Sequence, residues 1–147
     1  MKNISDNISS LKGLYIKNCF RIFSESDYES IPDDLREQES DGSTFLIFSD
    51  ESVYGFFPNT EKFTIELEKL HIKDIPNNSY DVSKNVFWSS VIGIKITSIK
   101  QLYSNLNIHY GFRFFFENNT IIDIKYISES VYTFDALVIR KPDGDMV

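Results

Sequence analysis

The sequence predicts an α+β, β-rich fold: a curved antiparallel sheet or partly open barrel of about six to eight strands, with one or two short helices. Three observations carry this. The apolar residues are of the strand-favouring kind, with 19 Ile, 7 Val, 13 Phe and 8 Tyr against 9 Leu and a single alanine, Ala136. Apolar and polar residues alternate with period two in most segments, as a half-buried strand requires. Short polar stretches, rich in residues that preset turn dihedrals, join those segments.

The elements follow in order. "GLYIKNCFRIF" (13–23) reads as a first strand, with Leu14, Ile16, Asn18, Phe20 and Ile22 on one face and Tyr15, Lys17, Cys19, Arg21 and Phe23 on the other. "STFLIFSDESVYGFF" (43–57) reads as a hairpin turning at Ser49, Asp50 and Glu51. "KFTIELEKLHI" (62–72) is a strand with Phe63, Ile65 and Leu67 inward and Thr64, Glu66 and Glu68 wet. "IPNNSYD" (75–81) is a loop, and "VSKNVFWSSVIG" (82–93) fits a helix or a turn that Gly93 would end. "IKITSIKQLYS" (94–104) is a strand, two more follow, and "SVYTFDALVIRK" (130–141) is apolar on both faces, as a central strand would be.

The aromatic run "YGFRFFFENNTIIDIKY" (110–126) tests strand register. Period two puts Tyr110, Phe112, Phe114 and Phe116 on one face, and Ile122, Ile124 and Tyr126 on one face of the next strand. A two-residue turn at Asn118-Asn119 would set Asp123 opposite Phe114. A three-residue loop at 118–120 pairs Phe116 with Ile122 and Phe114 with Ile124 instead, so the longer loop, or a two-residue turn with a bulge, is expected. Phe115 then pairs with Asp123, and Arg113 lies diagonal to it. "YGFRFFFE" partly resembles the RNP1 signature of RNA-recognition motifs at Gly111, Phe112 and Phe114. It departs at Tyr110, Arg113 and Glu117, would expose the face assigned to the core, and sits in an acidic chain, so nucleic-acid binding is not expected.

A chain of 147 residues is expected to form one domain, 1–147, with an acidic insert at 25–41 and a frayed tail at 142–147. The formal charge is −7, and one segment holds all of it. "ESDYESIPDDLREQESD" (25–41) contains eight of the 22 acids and one of the 15 bases, leaving 14 of each elsewhere. Those acids are Glu25, Asp27, Glu29, Asp33, Asp34, Glu37, Glu39 and Asp41, with Tyr28 among them as an aromatic anchor. From Pro32 the segment has the signals of a short helix that would display its acids on a firm element. Such a segment steers a basic partner; a solvated loop that only maintains solubility is the alternative.

Familiar chemistries are missing from the motifs. His71 and His109 have no ligand-spaced neighbours, the six glycines form no phosphate cradle, and no G-x-S-x-G elbow occurs. Cys19, the one cysteine, sits mid-strand as a buried small hydrophobe. Carboxylate pairs such as Asp123 with Glu129 or Asp135 are more simply surface or structural acids, and "DGD" (143–145) lacks the remaining ligands of a calcium loop. No cofactor or metal is expected. With no long apolar run and a single cysteine, a cytoplasmic location away from membranes is expected.

"FWSSVIGIKITSI" (87–99), the aromatic hairpin and "VYTFDALVI" together resemble the immunity proteins of bacterial polymorphic-toxin and contact-dependent growth-inhibition systems. The features are Trp88 with Gly93 five residues on, the hairpin, and the Phe134-Asp135 strand, across roughly the last 60 residues. The resemblance implies a non-catalytic protein that binds the toxic domain of a cognate toxin, often a nuclease, and blocks its active site or substrate access. It assigns no functional residue. Together with the charge map it makes 25–41 the expected contact with a basic toxin domain. The alternative is a small enzyme or ligand-binding module with an aromatic-lined pocket.

Overall fold

A computed structural model describes residues 8–22, 39–40, 43–127 and 136–141. They form two five-stranded sheets, mostly antiparallel, that are not closed into a barrel. The strands are β1 (Ile16–Arg21), β2 (Glu39–Ser40), β3 (Thr44–Phe48), β4 (Val53–Asn59), β5 (Thr64–Leu70), β6 (Tyr80–Asp81), β7 (Ile96–Tyr103), β8 (His109–Phe116), β9 (Ile121–Ile127) and β10 (Ala136–Arg140). The first sheet has the order β5-β4-β3-β1-β6 and the second β2-β10-β9-β8-β7. The helical part of the expected α+β fold reduces, over most of the described residues, to a 3₁₀ turn at Ile72–Asp74 and a four-residue helix, Val86–Ser89. The helix expected from Pro32 lies outside the described residues, as do residues 130–135 and the tail.

One apolar core joins the two sheets. The Phe56 ring of β4 meets Phe112 and Phe114 of β8 edge-on at centroid distances of 5.7 and 6.2 Å. Phe48, Ile65, Trp88, Ile96, Ile122, Ile124, Leu137 and Ile139 belong to the same buried cluster. Polar links cross between the sheets as well. Buried Arg21 of β1 donates through Nη2 to the Leu137 carbonyl of β10. Thr64 Oγ1 of β5 donates to the His109 carbonyl of β8, and at another corner the Gly13 and Ile96 amides donate to the Ile96 and Leu14 carbonyls at 2.8 Å each.

Two phase shifts depart from strict alternation. In β1 an extra residue at Lys17 separates Ile16, opposite Phe48, from Asn18, opposite Ile47. Beyond this bulge the buried face carries Cys19 and Arg21 instead of Asn18 and Phe20. The same happens at Thr97 in β7, so that Ile96 is buried and Ile99 half-buried, with Thr97 and Ser98 both exposed between them. A bulge adds one residue and reverses the face of everything after it, which period-two reading cannot foresee.

The hairpin β8–β9 has the expected faces: Phe112, Phe114, Phe116, Ile122, Ile124 and Tyr126 are all buried. Its register is shifted by two residues from the expected one. Phe112 faces Ile124, Phe114 faces Ile122, and Arg113 faces Asp123 directly. The three-residue loop is 117–119, closed by the Phe116 amide on the Thr120 carbonyl at 3.0 Å, with Asn119 at φ 68°. Asn tolerates this left-handed conformation, which lets the loop close one position earlier than assumed.

Candidate functional site

A concavity lined largely by apolar and aromatic residues lies where β7 passes into β8. There the alternation breaks again: Leu102 faces Gly111 while Tyr103 faces His109, so Tyr110 is an extra, bulged residue. His109 thereby takes the place on Phe112 that simple alternation assigns to Tyr110, ring to ring at 4.6 Å, while Tyr110 is turned aside. The connecting loop 104–108 is held by its own bonds. Ser104 Oγ accepts the Leu106 and Ile108 amides at 3.2 Å each, and the Ser104 amide donates to the Ile108 carbonyl at 2.9 Å. Across from it, the turn between β4 and β5 ends on Phe63 at φ 57°, a costly conformation for an aromatic residue. The Phe63 ring lies 6.3 Å from that of Tyr126.

Phe63, Tyr103, Leu106, Ile108, Tyr110 and Tyr126 thus line a groove of about 650 Å³. Three of them are strongly exposed: Phe63 at 53%, Tyr103 at 51% and Leu106 at 82%. Large apolar side chains grouped at such exposure mark an interaction surface more than isolated ones do. The His109 ring lies 5.3 Å from that of Tyr103, and its Nε2 is 2.9 Å from the Gly111 carbonyl oxygen. Burial among these rings pushes the His109 pKa below its ordinary value, and the Gly111 carbonyl opposes that only partly.

A second polar group lies on the other face of the hairpin. Arg113 donates through Nε and Nη2 to the two Asp123 oxygens at 2.7 and 2.9 Å, and Lys125 Nζ is 3.9 Å away. The bond to Asp123 raises the Arg113 pKa further. Asp123 is fully buried, so the expectation that it belongs to the wet face is corrected. Its direct opposition to Arg113 allows a two-pronged pairing that satisfies the carboxylate without water.

The other sequence-derived candidates divide. Glu25, Asp27, Tyr28, Glu29, Asp33, Asp34, Glu37 and Asp41 lie outside the described residues, as do Glu129, Asp135 and "DGD". Glu39 falls in β2, opposite Val138 of β10 at the edge of the second sheet. Cys19 is buried, and His71 precedes the 3₁₀ turn with its amide on Asp74 Oδ2 at 2.9 Å. Phe112 and Phe114 are enclosed, which removes the base-stacking platform of the RNP1 comparison. Among the described residues no group of three or more His, Cys, Asp or Glu is placed to hold a metal ion, and no helix is long and apolar enough to cross a membrane.

Alternation did not point to the groove. Phe63 reads as an inward residue with Ile65 and Leu67, yet it is exposed because the left-handed turn re-aims it. Leu106, alone among polar neighbours in "YSNLN", is the one signal that was present in the sequence. Against models of protein families, curated proteins and solved structures alike, the chain finds no match.

Proposed function

We propose that this chain is a non-catalytic binding protein of the immunity type, which neutralises a basic toxin domain by laying the acidic segment 25–41 across its active site or substrate access. The observation that carries this reading is the concentration of the entire net charge, −7, in that one segment. Its flanks support it. The chain leaves the first sheet after β1 and next meets a described strand at β2, on the edge of the second sheet, before returning to the first at β3. The acids thus lie between described strands of the two sheets, β1 before them and β3 after them, with Glu39 in β2. A basic nuclease cleft, built to hold phosphates, is the complementary surface.

The test uses the full chain as bait in a lysate of its own host, followed by the variant D33N/D34N/E37Q/E39Q. A basic protein domain is expected as partner. The variant is expected to bind it about tenfold more slowly or worse, with a flattened dependence on salt. Binding and salt dependence unchanged by the four substitutions would place the contact elsewhere.

A second reading, a ligand-binding module with an aromatic-lined pocket, is favoured by the groove, whose roughly 650 Å³ is within the usual range for small ligands. A small aromatic ligand that perturbs Tyr103, Tyr110 and Phe63 in solution would support it.

A further inference from the structure

The second sheet ends on β7, and past Ile96 its outer edge has no strand beside it among the described residues. Residues 97–103 thus present a row of backbone N–H and C=O groups to a newcomer. The other long edge, β5, has exposed charges of both signs at Glu66, Glu68 and Lys69. By contrast, the chain from Ile94 to Phe116 contains Lys95, Lys100 and Arg113 and no acid. Arg113 is committed to Asp123, which leaves Lys100 as the exposed charge on the open edge.

That charge pattern selects the occupant. A second copy paired antiparallel about the middle of β7 would set two Lys100 side chains beside each other, a repulsive arrangement. An extended segment with a carboxylate at that position gains the opposite effect. The edge also leads directly into the groove, because Tyr103 is both the last residue of β7 and one of the groove's walls. A strand laid along β7 would deliver its next side chain among Phe63, Tyr103 and Leu106.

We infer that the β7 edge and the aromatic groove form one docking site for an extended peptide segment of another protein, which adds a strand to the second sheet. An acidic side chain of that segment lies over Lys100, and a bulky apolar one fills the groove. The site contains no residue of the acidic segment 25–41.

The experiment presents the full chain to a displayed library of random peptides of about ten residues, long enough to span edge and groove. Enriched sequences are expected to combine Asp or Glu with Phe, Leu or Trp a few residues away, and the best peptide to slow hydrogen exchange at amides 97–103. Lys100→Glu is expected to weaken it about fivefold and Leu106→Asp about tenfold. Both positions are exposed, and an unchanged melting temperature confirms folding. The quadruple acid variant is expected to bind the peptide as the parent does, which separates this site from the toxin contact. The inference is overturned by a library without enrichment, by protection elsewhere, or by binding indifferent to both substitutions. Protection of 97–103 in a dimer without peptide would also overturn it, by identifying a second copy as the occupant.

Discussion

Thr44 and His109 show how single side chains record their surroundings. Thr44 opens β3 fully buried, and its Oγ1 has no hydrogen-bond partner among the described residues. An unpaired buried hydroxyl is destabilising, whereas valine fits the same space and the same strand. Thr44→Val is expected to stabilise the protein by about 1 kcal/mol, read as a rise in melting temperature. His109 makes stability depend on pH. Its pKa is below the ordinary 6.5 in the folded chain, so the unfolded chain takes up a proton more readily. Its contribution is complete above the unfolded pKa of about 6.5 and is lost as pH falls below it towards the folded value. Melting curves between neutral and acid pH are expected to show this loss in the parent and to lack one proton's share of it in His109→Gln.

At the scale of the element, the β8–β9 hairpin is held by a close backbone approach as well as by its aromatic row. Gly111 pairs with Lys125, and a Cβ on Gly111 would stand 2.6 Å from Lys125 Cβ and 2.9 Å from the Ile124 carbonyl oxygen. Neither atom can swing away as a flexible chain end would. Gly111→Ala is therefore expected to cost about 2 kcal/mol in denaturant unfolding and to disturb the bulge at Tyr110 beside it. Arg113 and Asp123 complete the same element on its other face, where direct opposition replaces the diagonal geometry of the assumed register.

For the molecule as a whole, the shared core makes the two sheets interdependent. Phe56 on one sheet packs on Phe112 and Phe114 of the other, and Arg21 ties β1 to β10. Unfolding of the described sheets is expected to be a single transition, with Trp88 fluorescence and far-ultraviolet dichroism coinciding. Phe56→Ala is expected to lower the stability by about 3–5 kcal/mol while keeping that coincidence. Two transitions would show that the sheets fold separately.

Composition and alternation by themselves determined that this chain builds mostly antiparallel sheet, that Phe112, Phe114 and Phe116 face inward with Ile122 and Ile124, and that the turn at Ser49–Glu51 reverses the chain. These properties are local: side chains on one strand alternate whatever the partner, and a turn is chosen by its own few residues. The concentration of charge in 25–41 is likewise visible without any structure. Only the tertiary structure decided that Arg21 and Cys19, not Phe20, are buried, that Asp123 meets Arg113 head-on, and that Phe63, Tyr103 and Leu106 share a groove. Each of these depends on a bulge or a left-handed residue that adds one position or re-aims one side chain. Whether it occurs is settled by how two sheets fit together, a balance that no single segment contains.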